Sequence, residues 1–295
     1  MRTNKKTTEE ITQLGALQTI AQIYAQIASV RMQQTRKQVL DGRVFIREIN
    51  ETFEDVRRSY AEEVRRLNKG KSGKSEHITF LSHNGKSVAV LLSANAGLYG
   101  AIVPNTYQLF LDELRKHDYE VTMVGQQGLS FYLVDEPNRP YTYFDLPDWG
   151  DSSSELSPII QHIVQYEEIH VFYGEFHTVI TQQPVETLIS SHATNSKSSR
   201  NPVKYYFEPN MEKILIFFET EIFSSLFEQT ISESRLAKYA SRIIAMDQAS
   251  ENTKNVIKKL KFEALVAQHR FFNRKQLNQL PAIWHLGQES NAYGK

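Results

Sequence analysis

The sequence contains no cysteine. That excludes disulfides, thiolate metal sites and cysteine nucleophiles at once. It also lacks a charge excess of either sign, with 34 Lys+Arg against 34 Asp+Glu and a pI of about 7.1. No overall field favours nucleic acid or an acidic membrane, so no nucleic-acid partner is expected and any electrostatic role rests on local patches. Long hydrophobic runs are absent too. The longest, ILIFF at 214–218, falls far short of the roughly 18 apolar residues of a membrane span. The N-terminal MRTNKKTTEE is basic but leads into no apolar stretch with a small-residue cleavage site, so no signal peptide is expected. These absences suit a soluble protein that only its partners would hold at a membrane.

Proline is missing from most of the chain. All nine prolines lie between Pro104 and Pro281, and none falls in 1–103 or 210–280. Proline costs a helix interior about 3 kcal/mol by removing a donor and clashing with the preceding turn. Two proline-free arms around a proline-bearing middle therefore predict two long helices around a compact insert: a helical segment 1–68, a central domain 76–208 and a helix with tail 209–295.

The arms carry the matching periodicity. Ile20, Ile23, Ile27 and Val30 are spaced 3-4-3, as are Ile46, Ile49, Phe53, Val56 and Tyr60, the narrow seam of a coiled coil. The two runs are out of phase, so the seam shifts near Gln34–Gly42. In the C-terminal arm one heptad position reads Leu236, Ile243, Ser250, Ile257, Ala264, Phe271, and the other Tyr239, Met246, Thr253, Leu260, Ala267. Expected core positions are Ile20, Ile27, Leu236, Ile243, Met246, Ile257 and Leu260. At 1.5 Å per residue, 9–67 and 210–280 would reach roughly 90 and 105 Å. Arms from opposite ends of one chain pair most simply antiparallel. Periodicity alone favours a generic helical hairpin that tethers or scaffolds.

The middle alternates strand and helix. SVAVLLS (87–93) is a continuous apolar run, the mark of a strand buried on both faces. Strands at 120–124, 141–146 and 168–173 alternate with helices at 105–117, 126–133 and 155–166. That order predicts an α/β class: a small, mostly parallel, Rossmann-like sheet covered by helices and inserted between coiled-coil arms. KGKSGKS (69–75) and HATNSKSSRN (192–201) read as polar connecting loops.

Chemical motifs are sparse. NKGKSGKS (68–75) offers Gly73-Lys74-Ser75, but Asn68 holds the first glycine position of a phosphate loop, and neither strand nor helix flanks it correctly. SANAGLYGA (93–101) follows a parallel strand, where doubly wound folds bind ligands, yet Gly97 and Gly100 are only two of three required glycines. They suit a tight turn and close helix–strand packing. His170 and His177 lack helical ligand spacing, and His170 and Asp145 read as strand or loop residues rather than ligands. No Gly-x-Ser-x-Gly elbow occurs. No catalytic, metal or cofactor-binding residue is assigned, and a mechanical or interaction component is expected over an enzyme. A sheet that binds nucleotide near Gly97 stays open as an alternative.

Several segments resemble the gamma-subunit family of rotary F-type ATP synthases. SANAGLYGAIVPN (93–105) is similar to its S-[SD]-x-[RK]-G-L-C-G-[GA]-[FY]-N-x-N loop. IHVFYGEFHTVITQQPVETLI (169–189) is similar to its strand, turn and Q-x-P segment, and KYYFEPN (204–210) to its Y-x-[FY]-E-P-S. ESRLAKYASRIIAMDQASENTKNVI (233–257) looks like E-[SA]-x-[AS]-S-E-x-[AS]-[AS]-R-M-x-A-M-D-x-A-[TS]-[DE]-N-A, with Arg242, Ala245, Met246, Asp247, Ala249 and Asn252 in register. IAQIYAQIASVRMQQTR (20–36) is a weaker match to I-T-x-A-M-x-x-V-A-[AS]-x-K-x.

The resemblance implies a central rotor shaft. It implies a non-catalytic subunit of a proton-transporting complex at the cytoplasmic face of the cell membrane, with alpha and beta hexamer subunits, the epsilon subunit and the membrane c-ring as partners. It places Asn95, Gly97, Leu98, Gly100, Tyr205, Tyr206 and Glu208 at the foot, facing ring and epsilon. Arg31, Arg270, Arg274 and Lys275 would face the stator near the shaft top, where a solvated helix face is the plain alternative. The chain departs from the family at Asn95-Ala96, at Tyr99 in place of cysteine, and at Leu265, His269, Asn273 and Lys275. Pro281 and the tail after it replace the usual ending.

Overall fold

A computed structural model of the chain describes residues 2–67, 84–150, 153–189 and 211–292. Chain order is α1 (Arg2–Leu67), β1 (Ser87–Leu92), α2 (Ile102–Leu114), β2 (Glu120–Val124), α3 (Gln126–Asp135), β3 (Thr142–Phe144), α4 (Ser153–Ile163), β4 (Glu168–Phe176), β5 (Gln182–Ile189) and α5 (Met211–Ala292). The proline-free arms are single helices of 66 and 82 residues, α1 and α5. α2 starts three residues before the expected boundary, because Pro104 sits in its first turn, where backbone N–H groups have no intrahelical partner to lose. The connecting loops expected at 69–75 and 192–201 lie outside the described residues.

The sheet order is β3-β2-β1-β4-β5. β1 pairs in parallel with β2 and β4, and β2 with β3; β5 runs antiparallel to β4. β5 carries Pro184, whose missing donor is tolerated because β5 is an edge strand. Side chains along β1 alternate between two cores. Val88, Val90 and Leu92 face a cluster with Leu156, Ile159 and Ile163 of α4 and with Phe223, Phe227 and Ile231 of α5. Ala89 and Leu91 face Tyr107, Phe110, Leu111 and Leu114 of α2 and Tyr132 of α3. Phe110 meets Phe172 of β4 edge-on at 5.4 Å. Each such fully buried side chain stabilises by roughly 1.5–3 kcal/mol relative to exposure.

One layer of the sheet domain is thus α5 itself. Packing divides the chain accordingly into two compact units, one of 1–26 with 246–295 and one of 27–245. Division by secondary structure alone, at about 68 and 209, separates α5 from the sheet face that its Phe223, Phe227 and Ile231 cover.

Within the larger unit α1 and α5 run antiparallel. Arg43 pairs with Glu233 at 2.9 Å, Gln229 Nε2 donates to Val39 O at 3.2 Å, and Phe53 and Val56 pack with Ile222. From Arg31 with Tyr239, through Arg43 with Glu233, to Phe53 with Ile222, numbers rise on one helix as they fall on the other. The expected stripe Ile49, Phe53, Val56 is the one that packs, against Ile214, Phe218 and Leu226.

The first α1 stripe is different. Ile20 and Ile27 are 48% and 41% exposed, and the buried positions are Ala21, Ala28, Thr35 and Val39. The heptad period is right and the face is one residue off, about 100° around the helix. Small residues at 21 and 28 form the inward face, so the larger isoleucines flank it. On α5, Leu236 and Met246 are buried and Ile243 half-buried. In the smaller unit Ser250 is buried, Ile257, Leu260 and Ala264 are half-buried, and Ala267 and Phe271 are exposed. The seam fades toward the C-terminus because α5 is the longer helix. Among the described residues no helix is long and apolar enough to cross a membrane.

Candidate interface between the sheet edge and α5

The parallel strands release their loops at one edge of the sheet. Backbone bonds bring the loops together: Ser93 N donates to Val124 O at 2.8 Å, Gly125 N to Phe144 O at 3.1 Å and Gln127 N to Ala94 O at 2.8 Å. Gly125 has φ +97°, and a Cβ there would lie 2.9 Å from Ala94 N, so only glycine fits. Asp148 is the hub. Its carboxylate accepts from the N–H groups of Asn95, at 3.1 Å, and Ala96, at 2.7 Å. The Asn95 side chain donates to Asp145 and to Leu146 O and accepts from Gln126 N.

α5 grips this edge with consecutive turns. Lys238 Nζ donates to Ser93 O at 2.6 Å and lies 3.8 Å from Asp148. Tyr239 OH donates to Asp148 O at 2.6 Å. Arg242 donates to Gly97 O at 2.7 Å and Leu98 O at 3.3 Å. Arg235 donates to Pro147 O at 2.7 Å. These donors take carbonyls that the loops leave unpaired, which is how buried irregular backbone is satisfied. Gly100, at φ +65°, lets the loop touch the helix: a Cβ there would come 2.8 Å from Ser241 Oγ and 3.2 Å from Ala245 Cβ.

Burial dominates the electrostatics. It brings the Lys238 amine down to about 8, with Asp148 opposing and Arg235 and Arg242 adding to the fall. Burial, then Asp148, pushes the Tyr99 hydroxyl up. Tyr239 is likewise raised by burial.

Four expected foot residues, Asn95, Gly97, Leu98 and Gly100, come together in this junction, with Gly100 against α5 and Leu98 exposed at φ 67°. Gly97 meets open space at its Cβ position, so close packing explains Gly100 but not Gly97. Tyr205, Tyr206 and Glu208 lie outside the described residues. Arg31 belongs to the junction as well: its guanidinium sits 4.8 Å from the Trp149 ring centroid and bonds Tyr239. The antiparallel register puts residue 31 at the level of α5 residue 239, beside the sheet. Arg270, Arg274 and Lys275 are exposed, in the smaller unit.

Sequence reasoning gave no role to Asp148, Trp149, Arg235 or Lys238. A signal existed in ESRLAKYASR, where Arg235, Lys238 and Arg242 interrupt an apolar helix face at spacings of three and four. The position after β1, where open α/β sheets take ligands, is covered by Lys238 and Arg242 of the chain's own helix. Among the described residues no cluster of three His, Asp or Glu is arranged to hold a metal. His170 pairs with Glu186 at 2.6 Å across β4 and β5.

The ATP synthase family model matches residues 3–267. The ATP synthase gamma chains of Staphylococcus aureus strains JH9 and Newman are each 25% identical over 191 residues, covering 60% of this chain and 66% of theirs. The chain thus spans just under two thirds of the length of these curated relatives. A chain of the Tetrahymena thermophila mitochondrial ATP synthase, from its central stalk and c-ring, superposes with TM-score 0.52 at 15% identity over 78% of this chain and 99% of that one. A chain of the Euglena gracilis mitochondrial ATP synthase, from an assembly of OSCP, F1 and c-ring, gives 0.53 at 12% identity over 89% and 96%. The structural likenesses carry the fold, and the family match, running through both helices and the sheet, carries the kinship: the chain belongs to the ATP synthase gamma-chain family.

Proposed function

We propose that the chain is the central rotor shaft of an F-type ATP synthase or ATPase, coupling ion-driven ring rotation to ATP synthesis or hydrolysis in an alpha/beta hexamer. The observation that carries this reading is the family match over residues 3–267. Exposed apolar side chains support it. In the smaller unit Leu17, Ile20 and Ile23 of α1 and Phe262, Leu265 and Phe271 of α5 are open to solvent, as surfaces that await protein partners are. An asymmetric helix pair that turns inside the hexamer favours each catalytic interface in turn, which makes rotation and nucleotide exchange coupled free energies.

In this reading Arg270, Arg274 and Lys275 face the alpha and beta subunits, while Arg31 works at the junction. Leu98 and Asn95, with Tyr205, Tyr206 and Glu208, face the epsilon subunit and c-ring, at the cytoplasmic face of the membrane. The test is co-purification of the tagged chain from its native host, with native mass spectrometry of the product. One copy with three alpha and three beta subunits is expected. A lone monomer or homodimer, with those subunits shown to be expressed, overturns the reading in favour of a coiled-coil scaffold.

A further inference from the structure

Ser93, at the end of β1, and Ser234, on α5, are 7% and 2% exposed. Neither hydroxyl has a hydrogen-bond partner among the described residues. Both line one small cavity, together with Pro147, Arg235 and Lys238, with room for about one water-sized particle. A buried hydroxyl without a partner is costly, and two that open on the same cavity point to something held between them.

The chemistry of the wall selects its occupant. Two carbonyls of residues in the wall already accept from its cations, Ser93 O from Lys238 at 2.6 Å and Pro147 O from Arg235 at 2.7 Å. Lys238 has three N–H donors, and Asp148, at 3.8 Å, is too far for a second hydrogen bond. Leu92, Val124, Leu146 and Ile231 form the apolar part of the wall, and among the described residues the charges acting on Lys238 are Arg235 and Arg242 against Asp148. The site is rich in donors and positive charge. We infer that this cavity binds one small monovalent anion of chloride size, held by the hydroxyl hydrogens of Ser93 and Ser234 and the Lys238 ammonium, with the Arg235 guanidinium alongside.

A water would satisfy the two serine oxygens with its hydrogens but would leave the positive charge of Lys238, Arg235 and Arg242 against the Asp148 carboxylate unrelieved. Burial and the neighbouring arginines draw the Lys238 amine down to about 8, an imbalance that an anion beside it relieves. The ligand would join the sheet edge to α5. The inference does not depend on the rotor reading.

The test is thermal unfolding of the full chain in sodium chloride against sodium gluconate at matched ionic strength. Chloride should raise the midpoint in a saturable way, by on the order of 2–4 °C, and the rise should vanish in a Ser93→Ala/Ser234→Ala double variant. Crystals of the unaltered chain grown in sodium bromide should show an anomalous peak between the two serines, a readout that does not depend on the variant folding. Equal midpoints in both salts, an equal rise in both proteins, or a cavity that holds water alone in bromide crystals would overturn the inference.

Discussion

The guanidinium of Arg242 lies 3.6 Å from the centroid of the Tyr99 ring while it donates to the carbonyls of Gly97 and Leu98. One side chain of α5 therefore holds three consecutive residues of the loop after β1. A planar fork does this well, because its edge offers N–H groups while its face stacks on the ring.

Arg242→Ala should destabilise the chain by roughly 2–4 kcal/mol, from two charge-assisted hydrogen bonds and one cation–π contact at a buried site. Arg242→Lys should recover less than half, since a lysine cannot bond both carbonyls and stack. Urea unfolding of the three proteins measures this, and a lysine variant as stable as the parent would refute the fork argument.

Gly100 and Gly97 stand three residues apart and should respond oppositely to alanine. At Gly100 the positive φ and the nearby Ser241 backbone combine strain with overpacking, for a cost of about 2–4 kcal/mol. At Gly97 a Cβ meets nothing within 4 Å, and the change should lie within about 0.5 kcal/mol. Midpoints from thermal melts decide; similar values for the two variants would mean that the loop does not press on α5.

Lys238 predicts a pH effect of unusual sign. The unfolded amine titrates near its ordinary 10.5 and the folded amine near about 8. Between these values the unfolded state holds the extra proton, so stability rises as pH climbs from about 8 toward 10.5. Below about 8 the buried charge costs the folded state on the order of 3 kcal/mol. Tyr99 and Tyr239, raised by burial, act in the opposite direction at higher pH, so the reading belongs between about 8 and 9.5. In chloride-free buffer, unfolding free energy should rise with pH across that window in the parent and not in Lys238→Met. A flat parent curve would show that the amine is solvated.

Phe53 and Ile20 separate internal packing from surface. Phe53→Ala removes a buried ring that meets Phe218 at 6.1 Å and should cost about 3 kcal/mol. Ile20→Ala and Ile27→Ala should change the isolated chain by less than about 0.5 kcal/mol, and, if the proposed rotor role holds, weaken assembly with alpha and beta subunits in reconstitution. Equal losses for all three in isolation would return the isoleucines to the core.

Much of this architecture was legible in the sequence because backbone constraints write themselves plainly. The proline gaps marked α1 and α5, and the unbroken apolar run of β1 marked a strand buried on both faces. β5 was hidden from the residue pattern by Pro184, which only the tolerance of an edge position explains. The inward face of α1 is not legible from side-chain size, because close helix approach selects Ala21 and Ala28 over the larger Ile20 and Ile27. The junction could be read only in part. The loop SANAGLYGA stood out by its place after β1, but Asp148 and Lys238 meet it from residues 53 and 145 positions away, and no local period connects them.

The antiparallel course of β5 has a mechanical meaning. Val88 pairs with Ile169, and Ile169 with Ile189, so the backbone enters and leaves the sheet at one end, a strand's width apart on either side of β4. Lys238, Tyr239 and Arg242 hold the other end. A plate held at one edge alone would swing; one held across its face by Phe223, Phe227 and Ile231 as well moves with its bar. A twist applied to α5 would therefore reach the sheet as shear across its strands, shared among many hydrogen bonds at once, rather than unzip them one at a time.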